Sequence, residues 1–302
     1  MKVKQSIPPQ LRFTIKDFNA QFPNDAACLE FLKEQKYPSG LVPCSKCGVD
    51  RKFHRIVKRP VYSCDYCGTQ ISPMAGTIFE KSSTSLRIWF YAMYLMSATR
   101  CGISAKQIQR ETGVTYKTAW RIFKQIRTLM SEDVSLEGEA VEMDETYVGG
   151  VRRGGRPGRA AGPVKEKAIV IGAVERGGKV VALVSNDVTQ ATLHGIAKEY
   201  ILPGSIVYTD HYPAYVGLDK INGYQHRRVN HSAGVYVMGD VHTQTIEGFW
   251  SLVKRGIGGV YHSVSQKYLQ TYLNEYSYRY NRRLSSEPMF VSLLDEIAER
   301  VN

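Results

Sequence analysis

Between Phe18 and Lys36 the apolar residues Phe18, Phe22, Ala26, Leu29, Phe31 and Leu32 recur at roughly helical spacing. The pattern predicts a short amphipathic helix with Asn24 and Asp25 as N-cap candidates after Pro23. Ser85 to Ala98 is apolar on nearly every side, which predicts a buried helix. A helical pair follows: Ala105 and Ile108 share one face, Gly113 supplies a tight turn, and Ala119, Ile122, Phe123 and Ile126 form the next stripe. From Ala140 the pattern becomes mixed. Val-, Ile-, Ala- and Tyr-rich runs predict strands near 140–148, 167–175, 179–186 and 205–210, the second and third joined by Arg-Gly-Gly. A helix is expected near 190–200, a weaker fifth strand near 224–230 and a strong helix from about 243. The Gly/Arg-rich stretch Gly149 to Lys165 has too little apolar content to pack and is expected to be a mobile loop.

These signals divide the chain into an N-terminal helical segment (1–38), a cysteine-bearing module (39–80), a helical region (81–135), an α/β domain (136–290) and a C-terminal tail helix (291–302). A length of 302 residues suits a catalytic-sized core with small modules attached. No apolar run approaches the roughly 18 residues of a membrane span, and no secretory pattern follows the first lysines, so a cytoplasmic protein without a membrane partner is expected. The net charge of +12 favours a polyanionic partner, nucleic acid first, with a generically basic soluble protein as the other reading.

Four of the six cysteines fall in two pairs, Cys44-x2-Cys47 and Cys64-x2-Cys67, with sixteen residues between. That spacing suits four thiolates around one structural Zn²⁺, and Gly48 and Gly68 directly follow the pairs where each knuckle turns. A redox dithiol is the alternative. The segment 43–73 is too poor in large apolar residues to hold itself together without a metal. Cys28 and Cys101 stand apart and read as buried small hydrophobes. Between the pairs, Arg51, Lys52, His54, Arg55, Lys58 and Arg59 interleave with Phe53 and Tyr62, a pattern for a DNA-facing ribbon or a solvated basic hairpin; Arg55 and Lys58 are the DNA-contact candidates.

After the turn at Gly113, Thr115 is a plausible N-cap, and Tyr116, Lys117 and Thr118 open the second helix. In a helix-turn-helix such residues reach base edges, while Arg121, Lys124 and Arg127 would meet phosphate. Two helices around a glycine turn also occur in proteins that never touch DNA.

Three acids in the α/β region are candidates for one site. Asp144 lies in a strand, Asp210 ends the strand Ser-Ile-Val-Tyr-Thr-Asp, and thirty-six residues separate Asp210 from Glu247. On the helix carrying Glu247, Ile246, Phe249, Trp250 and Val253 share a face that can bury, which leaves Glu247, Ser251 and Lys254 on the adjacent stripe. Three hard oxygen donors suit two Mg²⁺ or Mn²⁺ ions that drive an in-line phosphoryl displacement, with Lys254 near a phosphate. Glu145 is expected to point to the opposite face of the strand. Asp187 and Asp240 read as turn acids, with Asp240 a substitute for Glu247. His211, His231 and His242 are expected near the site in a structural role.

The ordered set resembles the DDE transposases of bacterial insertion sequences that carry an N-terminal zinc ribbon, the ISXO-like group related to Merlin transposases. The resemblance rests on the two cysteine pairs, Met-Asp-Glu-Thr-Tyr-Val-Gly-Gly, Tyr-Thr-Asp, Ile-Glu-Gly-Phe-Trp-Ser-Leu-Val-Lys-Arg-Gly and the block at 259–283. The order three strands, helix, strand, helix, strand, helix is similar to the ribonuclease H-like arrangement. The resemblance implies metal-dependent cleavage at transposon ends and strand transfer into target DNA, with Asp144, Asp210 and Glu247 as metal ligands and Lys254 positioning the end. It also implies double-stranded DNA as partner (terminal inverted repeats and target), a homodimer or higher oligomer on DNA, and a place at the bacterial nucleoid. A zinc-ribbon, helix-turn-helix regulator without catalysis is the alternative; a ribonuclease H-like nuclease that hydrolyses without joining is a third.

Overall fold

The computed structural model describes residues 13–99, 101–149, 167–229 and 242–299. The chain divides into two compact units: one contains the residues up to Leu129 together with those from Ser285, the other Met130–Leu284.

In the first unit, the predicted 18–36 helix is two helices, α1 (Ile15–Gln21) and α2 (Asp25–Lys36). Pro23 explains the break, because its ring disfavours helical backbone at Phe22. Thr14 and Asp17 form a capping box on α1, and Asn24 caps α2 by accepting from Ala27 N at 3.0 Å. Short strands β1 (Val42–Pro43) and β2 (Asp50–Arg51) pair, and β3 (Phe53–Ile56), β4 (Val61–Cys64) and β5 (Gln70–Ile71) form an antiparallel sheet. Helices α3 (Leu86–Ala98), α4 (Ala105–Thr112) and α5 (Tyr116–Leu129) follow. The last helix, α9 (Met289–Glu299), joins this unit and places Phe290 6.0 Å from Phe18 and from Phe22 in an aromatic core with Phe31, Phe79 and Phe90.

The second unit is built on a five-stranded sheet of β6 (Ala140–Val148), β7 (Ala168–Glu175), β8 (Val180–Ser185), β9 (Ile206–Thr209) and β10 (Gln225–Arg228), in the order β10-β9-β6-β7-β8. The first three strands are antiparallel, β9 runs parallel to β6, and β10 parallel to β9. Helix α6 (Gln190–Tyr200) covers one face; α7 (Gln244–Gly256) and α8 (Gln266–Asn281) cover the other. All five predicted strands are present. Between β9 and β10, however, the chain makes two 3-10 turns, Pro213–Tyr215 and Leu218–Lys220, in place of an α-helix. Gly217, in the left-handed conformation (φ +87°), ends the first turn before an α-helix can propagate. Cys28 is buried as expected, but Cys101 is exposed, because it lies in the turn between α3 and α4. The expected mobile loop lies, apart from Gly149, outside the described residues.

Candidate functional site

Successive residues of a strand point to opposite faces, and β6 uses the alternation to sort its side chains. Val141 and Met143 pack with α6, whereas Val148 packs with α7 and α8. Glu142 and Asp144 share the parity of Val148 and so face α7. Asp144 pairs with Gly172 of β7. The parallel register matches Glu142 with Tyr208 of β9. One further pleat brings Asp144 beside Asp210, which follows directly on the last residue of β9. The electrostatics agree: burial, then the charge of Glu145, then that of Asp210 push the Asp144 carboxyl up to about 7, against the pull of a hydrogen bond from Trp250. Asp210 Oδ1 accepts from Tyr212 N at 2.9 Å.

Glu145 points to the opposite face, as its position in the strand requires. Its Oε2 accepts from the buried hydroxyl of Tyr215 at 2.9 Å. Burial raises its pKa, with a further contribution from Asp210. Among the described residues no ion pair is formed by Asp144, Glu145 or Asp210.

Helix α7 is pinned over this strand at two points. Its N-cap Thr243 makes no side-chain capping bond. The fully buried carboxylate of Glu142 takes over that role, accepting from Thr245 N at 2.8 Å and Ile246 N at 3.0 Å, where the helix dipole favours negative charge. Arg176 Nε at 2.8 Å and His242 Nδ1 at 3.2 Å also meet Glu142. One turn along the helix, Trp250 Nε1 donates to Asp144 Oδ2 at 2.9 Å. Ile246, Phe249, Trp250 and Val253 are buried, as their spacing predicts.

Glu247, Ser251 and Lys254 lie exposed on the neighbouring stripe, and Glu247 Oε1 accepts from Thr243 Oγ1 at 3.2 Å. The fold thus brings the two aspartates together and places Glu247 one turn from the tryptophan that touches Asp144. It does not gather all three carboxylates into one cage. Among the described residues, Cys44, Cys47, Cys64 and Cys67 alone form a set of three or more potential ligands within 4.8 Å of one another. Asp187 is a turn acid that accepts from Thr189 N and Thr192 Oγ1. His211 is exposed, its carbonyl accepting from Arg228, while His231 and Asp240 lie outside the described residues.

The four sulfurs lie at the tips of the β-ribbon, with Cys44 and Cys67 3.5 Å apart and Cys47 and Cys64 3.9 Å apart. This all-thiolate set fits one structural zinc ion. Hydrogen bonding with Thr69 lowers the Cys67 pKa to about 6, and hydrogen bonding with Cys67 raises the Cys47 pKa to about 12. Of the ribbon candidates, Arg55 is half-buried and donates to Arg59 O at 2.6 Å, while Lys58 is exposed.

Helix α4 closes at Gly113, which adopts the left-handed conformation (φ +71°), and Thr115 caps α5 by accepting from Thr118 N at 3.3 Å. Tyr116, Lys117, Arg121 and Lys124 are exposed and Thr118 is half-buried. Lys106 Nζ sits 4.6 Å above the Tyr116 ring. Arg127 departs from expectation: it is 2% exposed, with its guanidinium 3.6 Å from the Phe123 ring centre, so it is not a surface cation.

A tetrathiolate ribbon followed in the same chain by an α/β domain with paired aspartates on its sheet defines a modular, metal-binding protein. Comparison with known proteins gives the family: residues 135–281 match the ISXO2-like transposase domain and residues 23–70 the transposase zinc-ribbon domain. An uncharacterized transposase-like protein of Haemophilus influenzae is 33% identical over 103 residues, 34% of this chain and 81% of that protein. An uncharacterized protein in transposable element ISH50 of Halobacterium salinarum is 29% identical over 275 residues, 85% of this chain and 91% of its own length. The chain belongs to the ISXO2-like, zinc-ribbon transposase family. A solved pre-cleavage Mos1 transpososome matches 70% of this chain and 76% of its own at 10% identity with a TM-score of 0.29, an overlap too loose to carry an inference.

Proposed function

We propose that this protein is a DNA transposase that cleaves transposon ends and joins them to target DNA, using two Mg²⁺ or Mn²⁺ ions on a ribonuclease H-like domain. The observation that carries the proposal is the juxtaposition of Asp144 and Asp210 on neighbouring strands beneath a helix bearing Glu247. The strand order β10-β9-β6-β7-β8, with an antiparallel first half and a parallel second half, supports the ribonuclease H-like assignment.

The two aspartates suit such cations: their donors are all oxygen, acidic and half-buried, and neither forms an ion pair among the described residues. Asp144 and Asp210 would hold the ions, with Glu247 supplying the third carboxylate. When bound, the ions activate the attacking oxygen and stabilise the leaving one. Lys254, two turns from Glu247 on the same exposed stripe, is placed to meet the phosphate of the end being cut. The ribbon, through Arg55 and Lys58, and the α4–α5 pair, acting as a helix-turn-helix through Tyr116, Lys117, Thr118, Arg121 and Lys124, would hold double-stranded DNA. A homodimer or higher oligomer would bring two ends together at the nucleoid.

The test is a nicking and strand-transfer assay on duplexes carrying the element's terminal repeats, with Mg²⁺ or Mn²⁺. Asp144→Asn and Asp210→Asn should abolish cleavage and leave end binding intact. Cleavage by Asp144→Asn at the wild-type rate would overturn the assignment of the site. Specific binding by the wild type without metal-dependent nicking would favour the regulator, and nicking without joining a hydrolytic nuclease.

A further inference from the structure

We propose that Trp250 is a positioning residue for the metal site, its indole N–H fixing the orientation of the Asp144 carboxylate. The inference rests on the assignment of Asp144 as a metal ligand. An indole N–H can only donate, and Trp250 is 4% exposed, so a partner inside the protein satisfies it. That partner is Asp144 Oδ2 at 2.9 Å. An aromatic ring chosen only to fill the space under α7 has no need of this atom; phenylalanine, present next door at Phe249, would serve.

The opposite strand is adapted to the same ring. Gly172 is the cross-strand partner of Asp144, and a Cβ there would lie 2.5 Å from Trp250 Cη2, 2.6 Å from Cζ2 and 3.1 Å from Ile246 Cδ1. Glycine in a strand interior costs conformational entropy and packing, and it is explained where another group must approach the backbone closely. Here the group is the indole, laid across the sheet beside the aspartate. The ring is also kept from sliding along the strand, because Glu142 clamps the first turn of α7 four residues earlier.

Glu142 and Gly172 therefore fix the indole of Trp250, which alone of the three meets the Asp144 carboxylate. Partners that orient a ligand from behind typically change metal affinity by about 10- to 100-fold when lost. Trp250→Phe keeps the ring and removes the N–H, whereas Gly172→Ala keeps the N–H and displaces the ring.

The experiment uses the full chain with its zinc retained. Mn²⁺ binding is measured by titration calorimetry, with Asp144→Asn defining the background, alongside the thermal midpoint and the Mn²⁺ dependence of end cleavage. The expected result is a cooperative transition for Trp250→Phe, Mn²⁺ affinity weakened about 10- to 100-fold, and cleavage that recovers at saturating Mn²⁺. Gly172→Ala should shift affinity in the same direction. Wild-type Mn²⁺ affinity in a folded Trp250→Phe overturns the proposal. If that variant does not fold, wild-type affinity in Gly172→Ala overturns it. Failure of the underlying reading looks different: wild type and Asp144→Asn would then bind Mn²⁺ alike.

Discussion

Three acids of β6, Glu142, Asp144 and Glu145, lie within four consecutive positions and hold three different parts of the domain: the N-terminus of α7, the indole of Trp250 and the turn containing Tyr215. Asp144 is expected to make the fold sensitive to pH. Its folded pKa, about 7, lies above the ordinary aspartate value, so the folded chain binds the proton more tightly than the unfolded chain does. The stability this contributes is full below about pH 4 and is lost as pH rises through about 7, an effect on the order of 2–4 kcal/mol. Denaturant unfolding at pH 5 and pH 8, without added divalent cations and with zinc retained, should show the decline in the wild type and its absence in Asp144→Asn. An unchanged slope in the variant would remove Asp144 as its source. Glu142 is expected to behave differently. Glu142→Ala leaves the N–H groups of Thr245 and Ile246 without their acceptor and breaks the Arg176 ion pair, which should cost about 3–5 kcal/mol by the same denaturant measurement. Asp144 and Asp210, the acids of the proposed site, stand out in the sequence because the first lies within a strand and the second directly follows an apolar one. Glu142 is not among the acids expected at the site, although its place two residues before Asp144 fixes it to the same face. The polar role of Trp250 was hidden, because helical periodicity registers only its apolar bulk.

At the level of elements, α8 completes the sheet by covering its open edge. Gln270 accepts from Val184 N at 2.8 Å and donates to Ala182 O at 2.9 Å, and Asn281 does the same for Val180 N at 2.7 Å and Val180 O at 3.2 Å. Two amides on one helix thus stand in for part of a sixth strand and blunt an edge that would otherwise invite pairing with another chain. Asn281→Ala should cost about 1–3 kcal/mol, since both backbone groups of Val180 lose their partner at a part-buried site; a cost near zero in urea unfolding would mean that water replaces the amide freely. No hydrophobic pattern could reveal this, because it depends on which polar side chains of a helix meet which strand. The ribbon was legible for the opposite reason: cysteine spacing encodes the cluster directly, and Gly48 and Gly68 adopt the left-handed backbone (φ +70° and +72°) each turn requires. A single helix across Pro23 does not form, because the apolar spacing continues through a residue whose backbone cannot.

On the scale of the whole molecule, the first unit is assembled from both ends of the chain. Residues 285–299 pack with helices that begin more than two hundred positions earlier, and Phe290, 2% exposed, lies 4.8 Å from Phe13 and 5.9 Å from Tyr94 as well as against Phe18 and Phe22. The apolar face of the last helix is legible in the sequence, but its destination is not, since periodicity says that a face will be buried and nothing about which element buries it. A consequence separates this arrangement from that of an appended tail. Phe290→Ala would open a cavity in the aromatic core and should destabilise the first unit by about 3–5 kcal/mol. The second unit shares none of those contacts and should keep its own transition. The two are distinguishable by hydrogen exchange: amides of α1, α2 and α3 should lose protection in the variant, while those of β6, β7 and β8 keep theirs. Equal loss of protection in both sets would show that the units unfold as one, and no loss in either would show that α9 contributes nothing to the core in which it is buried.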